Sequence, residues 1–187
     1  MAIKTFTTGE VLTASDTNTY LANSGLVYIA QATVGSAVST VNITSCFSST
    51  YDNYVVTYAN VTASNNGSIM ACKLLVGTTP TTAGWYGNTF YVINAGTGGL
   101  SNANNVNSSY AECGSLTNTF KNAATFEILQ PNLATQSMLN YTSTDNNYMR
   151  IGGFVLNNST SYDGIQLAPF SGTITGGTIT VYGYRKA

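Results

Sequence analysis

Residues 54–76 read YVVTYANVTASNNGSIMACKLLV, and their spacing decides the fold class. In the first eight, Tyr54, Val56, Tyr58 and Asn60 fall on one side of an extended chain. Val55, Thr57, Ala59 and Val61 fall on the other, because side chains alternate with a period of two along a strand. Asn65-Asn66-Gly67 is a short turn cue of the kind that joins hairpin strands, and a second run, SIMACKLLV (68–76), follows it. Aliphatic and aromatic residues, many of them β-branched, dominate both runs, as a pleated and half-buried surface requires.

Similar runs extend outward in both directions. LVYIAQATV (26–34) and AVSTVNI (37–43) precede this pair. WYGNTFYVI (85–93), ATFEILQ (124–130), SMLNYTST (137–144), YMRIGGFVL (148–156), YDGIQLA (162–168) and TITVYGYRK (178–186) follow it. Within the last run Ile179, Val181 and Gly183 alternate with Thr178, Thr180, Tyr182 and Tyr184, a half-buried terminal strand. The Gly176-Gly177 pair before it suits either a tight hairpin or a sharp strand entry, since glycine tolerates positive φ. From Asn94 to Thr119 the glycines and the Asn/Ser cluster read as one long loop. No segment beyond residue 25 sustains a helical period and no fixed-period repeat is present, so a solenoid is excluded. Short strands without intervening helices predict an all-β fold, an antiparallel, jelly-roll-like β-sandwich.

Residues 1–25 differ. Lys4 to Leu12 is short and extended in character, and ASDTNTYLANSG (14–25) reads as a small helix capped by Ser15 or Asp16 and ended by Gly25. It has too few apolar residues to fold alone. The domain expectation is therefore a docking arm over 1–25, anchored by Phe6, Val11, Leu12, Tyr20 and Leu21, and a sandwich over 26–187.

Composition limits the chemistry. The 187 residues include six Lys and Arg, seven Asp and Glu and no His, for a net charge of −1, with 7% of residues charged. An average soluble protein carries roughly 25%. Thr (29), Asn (21) and Ser (18) supply the polarity instead. Six scattered cations make no basic face for phosphates, which excludes a nucleic-acid binder. Without His, the commonest acid–base catalyst and metal ligand is missing. The hydrophobic share of 43%, with 13 Tyr and 7 Phe, is enough for a core and argues against disorder. No apolar run reaches the roughly 18 residues of a membrane span, so no membrane insertion is expected. MAIKTFTTGEVLTASD has no apolar signal-peptide region.

Motifs for catalysis are equally scarce. There is no GxSxG, HExxH or GxxxxGK[ST]. Gly96-Thr97-Gly98-Gly99 lacks the third spaced glycine and the following helix of a phosphate cradle. Asp145 and Asp163 are candidates for a glycosidase pair on residue type alone, with no spacing rule to favour them. Asp145-Asn146-Asn147 is a turn sequence that also offers oxygens to calcium. Cys46, Cys72 and Cys113 form no CxxC pair and read as small buried hydrophobes kept reduced. Seven N-x-S/T sequons are close to what so much Asn, Ser and Thr produces by chance. Trp85 and Tyr86, beside Phe90 and Tyr91, are candidates either for a sugar-stacking platform or for core and subunit contacts. No cofactor, metal or catalytic residue is expected. Short uncharged polar side chains seal interfaces between subunits without burying unpaired charge, and oligomerisation protects exposed strand edges.

Three stretches carry a resemblance. TFTTGEVLTASDTNTYLANSGLVYI (5–29), FSSTYDNYVV (47–56) and SYDGIQLAPFSGTITGGTITVYGYRK (161–186) resemble segments of virion structural proteins of tailed bacteriophages, especially marine and cyanobacterial podovirus-like ones. The resemblance touches both ends and one inner strand region, and does not separate tail fibre, tail knob and head decoration. It implies a structural protein of the virion surface, assembled in the bacterial host cytoplasm. It also implies a homotrimer whose arm attaches to capsid, portal or tail proteins while the β-domain projects outward. The chain is short for a long fibre with a repeated shaft, which favours a compact knob, short fibre or decoration. The other expectation is a carbohydrate-binding module that recognises a host surface glycan through Trp85 and Tyr86.

Overall fold

A computed structural model describes residues 7–16, 25–93, 100–145 and 148–185. Among them are thirteen strands: β1 (Leu26–Val34), β2 (Val41–Ile43), β3 (Asn53–Ala63), β4 (Ser68–Val76), β5 (Thr79–Pro80), β6 (Trp85–Ile93), β7 (Leu100–Ser108), β8 (Ala111–Leu116), β9 (Asn122–Leu129), β10 (Ser137–Thr144), β11 (Tyr148–Leu156), β12 (Gly164–Pro169) and β13 (Ile174–Tyr184). They make two antiparallel sheets, one of eight strands in the order β1-β13-β3-β9-β10-β11-β6-β7. The other has five, β2-β12-β4-β5, with β8 also pairing with β4. The all-β sandwich expected from the sequence is the fold of the chain, though thirteen strands exceed the eight of a jelly roll.

The inner faces meet in one core built from alternate residues. Tyr54, Val56, Tyr58, Phe126, Ile128, Leu139, Ile179 and Val181 come from the large sheet, and Leu74, Ile165 and Leu167 from the small one. Burying each of these large side chains contributes about 1.5–3 kcal/mol. The alternation of β3 does not run unbroken. Asn60 has φ 55° and lies in a bulge opposite Gly177, so Val61 takes the inward position that strict alternation gives to Asn60. Gly177, at φ 111°, is needed there because a Cβ would lie 2.6 Å from the Val61 Cα. The Gly176-Gly177 pair is therefore neither a hairpin turn nor a strand entry but a bulge within β13.

The Asn65-Asn66-Gly67 turn also differs from the expectation. Both edges of β3 are occupied, by β13 and β9, so the chain leaving it crosses to the small sheet and β3 and β4 do not pair. Ser64 and Ser68, flanking that turn, hydrogen-bond to the 171–173 segment and hold the crossing in place. The stretch expected to be one long loop contains β7 and β8. The glycines at 96, 98 and 99 lie outside the described residues.

In the arm, α1 covers Ala14–Asp16 among the described residues, and its cap is Thr13 rather than Ser15 or Asp16. The Asp16 N–H donates to Thr13 Oγ1 at 3.1 Å, and the Asp16 carboxylate accepts the Thr13 N–H at 3.1 Å, a reciprocal capping box. Val11 and Leu12 are 79% and 49% exposed. Phe6, Tyr20, Leu21 and the rest of the expected helix lie outside the described residues.

Candidate functional site

Strand register aligns a row of threonines on the outer face of the large sheet. Thr142 of β10 faces Thr125 of β9, Thr125 faces Thr57 of β3, and Thr57 faces Thr180 of β13. Four threonines from distant parts of the chain thus form one row across adjacent strands, which lie about 4.8 Å apart. The row continues to Ile151 and then Phe90 on one side, and to Gln31 on the other, where the Gln31 amide donates to Thr180 Oγ1 at 3.3 Å. The next row runs Asn88, Gly153, Asn140, Glu127, Val55.

The first row from Phe90 to Thr57 and the second from Asn88 to Val55 floor a groove of about 1370 Å³, which Tyr184 of β13 and Leu26 of β1 also line, whereas Thr180 and Gln31 lie outside it. Its lining contains no Lys or Arg and one carboxylate, Glu127. The Tyr184 hydroxyl donates to Glu127 Oε1, and that hydrogen bond raises the Tyr184 pKa above its ordinary value. Phe90, 47% exposed, presents a ring to the groove.

The expected glycan pair divides. Trp85 is fully buried in the core, and Tyr86 is 36% exposed on the opposite face. Neighbours on one strand point to opposite sides, so these two cannot share a platform. Trp85 as a sugar contact is corrected to a core residue. Phe90 is the β6 aromatic that lines the groove, on the same face as Tyr86.

A second polar cluster lies inside, where β8 packs over the inner face of β10, β11, β9 and β6. Arg150 of β11 and Glu112 of β8 are both buried, with 3.9 Å between Arg150 Nη1 and Glu112 Oε2. The guanidinium lies between two rings, 4.9 Å from the centre of Tyr91 and 4.8 Å from that of Tyr148. The Tyr141 hydroxyl donates to Thr89 Oγ1 at 3.0 Å. Burial raises the phenol pKa values of Tyr141 and Tyr58. Gly114 lets the Tyr58 hydroxyl approach β8, where a Cβ would stand 1.9 Å away. A largely buried cluster of this kind holds strands together.

Asp145 and Asp163 are engaged in local structure. Asp145 accepts the Tyr148 N–H at 2.7 Å, and Asp163 accepts the Gly77 N–H at 2.9 Å. Asn146 and Asn147 lie outside the described residues. Among the described residues no three of His, Cys, Asp and Glu come together. The three cysteines are free and buried. No protein-family model matches the chain, and no curated protein matches it.

Proposed function

We propose that this protein is a non-enzymatic structural component of the surface of a tailed-bacteriophage virion, a short fibre, knob or capsid decoration. Residues 1–25 attach it to capsid, portal or tail proteins, and the sandwich projects outward as one unit of a homotrimer. The observation that carries this reading is the contrast between arm and sandwich. Buried residues from Val34 to Val181 form one core cluster, while Val11 and Leu12 of the arm stand out in solvent. Exposed apolar side chains on a short arm are the anchors that a docking partner covers. The resemblance of 5–29, 47–56 and 161–186 to phage virion proteins supplies the kind of partner, and the scarcity of charge suits surfaces buried between copies.

Deleting residues 1–24 tests it. The truncated chain is expected to stay folded, with an unchanged thermal midpoint, and to be absent from purified particles assembled with it in place of the full chain. Truncated protein found in particles at the full-length level overturns the docking role of the arm.

A further inference from the structure

We infer that the groove on the outer face of the eight-stranded sheet is a binding cleft for an extended, uncharged polysaccharide. Its size sets the class of ligand. At about 1370 Å³ it exceeds the roughly 300–1,000 Å³ of a small-molecule pocket. It crosses six inter-strand steps from β6 to β1, a length of roughly 29 Å. That length fits a run of several sugar rings rather than one.

Its charge narrows the ligand further. With no Lys or Arg in the lining, nothing compensates a phosphate, sulfate or uronate, and a single carboxylate does not select a polycation. Among apolar side chains such as Val55, Ile151 and Phe90, the floor offers three Thr hydroxyls, of Thr57, Thr125 and Thr142, and the amides of Asn88 and Asn140, each of which both donates and accepts. Sugar hydroxyls have the same dual character and recur at short, regular intervals. Phe90 at one end and Tyr184 at the other supply faces for the C–H surfaces of pyranose rings, and Glu127 supplies a charged acceptor for hydroxyls. Because the Thr and Asn side chains of the floor are short and set on strands, little rotamer entropy is lost when they bind. The inference stands apart from the virion reading, since it uses only groove residues and none of the arm.

Affinity electrophoresis of the full-length protein tests it, through gels containing dextran, mannan, laminarin or arabinogalactan, with anionic alginate as the counter-probe. Retardation by at least one neutral polymer and none by alginate is expected. Phe90→Ala and Thr125→Arg are each expected to weaken that retardation about tenfold or more, equivalent to 1.4 kcal/mol. Phe170→Ala, exposed and outside the groove, leaves it unchanged. Circular dichroism checks the fold of each variant, and Phe90→Ala decides alone if the arginine variant does not fold. No retardation by any neutral polymer overturns the inference. So does retardation that the groove variants leave intact, retardation by alginate alone, or light scattering showing an oligomer that Thr125→Arg dissociates, which would make this face a contact between copies. Loss of particle incorporation on arm deletion is read separately, so either proposal can fail without the other.

Discussion

The two halves of the sandwich interior are built on different chemistry. Where β2 and β12 belong to the small sheet, the core is aliphatic and aromatic, with Ile43, Phe47, Tyr54, Ile165 and Val181. There the Ser48 N–H donates to the Tyr54 hydroxyl at 2.8 Å, which donates to the Ser48 carbonyl at 2.9 Å. Where β8 provides the cover, a buried ion pair, four ring or hydroxyl partners and several polar atoms without hydrogen bonds share the space. The hydrophobic effect is non-directional, so the first half tolerates adjustment. Charge and hydrogen bonding are directional, so the second admits fewer alternatives for where β8 lies.

Alkali should unsettle both halves together, and most strongly. Burial raises the Cys46 thiol from 9.0 to about 12, and raises Cys72 and Cys113 as well. A thiol with a raised folded-state pKa gives its full contribution below the unfolded value and loses it as pH rises towards the folded one. The Cys46 thiol therefore contributes progressively less to stability between about pH 9 and 12, and the raised Cys72 and Cys113 thiols act in the same direction. Thermal melts from pH 7 to 11 should be level to about pH 9 and fall steeply above it. A flat profile to pH 11 would show that the thiols are open to water in the folded state. In the same protein at pH 8, Ellman's reagent should leave all three thiols untouched until denaturant is added.

Replacing Arg150 with Met separates the halves. It leaves the Glu112 carboxylate buried beside no cation, and removing one partner of such a pair costs about 3–5 kcal/mol. Adding Glu112→Leu should restore most of that loss in chemical denaturation, because the remaining charge goes with it. If the double variant is no more stable than the single one, the pair is not coupled as described. The smallest effect belongs to the aliphatic and aromatic half. Ile128→Val, at a fully buried site, should cost about 1 kcal/mol and add to other changes without compensation.

The strands with period-two apolar residues were legible in the sequence; the runs at 26–34, 68–76, 85–93, 137–144 and 148–156 match β1, β4, β6, β10 and β11. β7 was not, because LSNANNVNS is polar and lies at the sheet edge, where pairing with β6 alone sustains it. β8 was not, because Glu112 and Gly114 argue against a strand until Arg150 and Tyr58 are seen to require them. Joining Trp85 and Tyr86 in one sugar platform overlooked strand alternation, which sets such neighbours on opposite faces. The groove was the least legible feature. Thr57, Thr125 and Thr142 meet through register across sheet neighbours, and no local pattern encodes which strands are neighbours.

The position of β13 between β1 and β3 has a consequence for biosynthesis. Of the thirteen strands it is the last to leave the ribosome, yet it joins the first to the rest of the large sheet. At translation rates of roughly 5–20 residues per second, β1 waits roughly 10–30 s for its partner. Through that interval β1 and one side of β3 display unpaired amides and carbonyls to every other nascent chain nearby. Closure of the sheet is thus a late event in the life of each molecule.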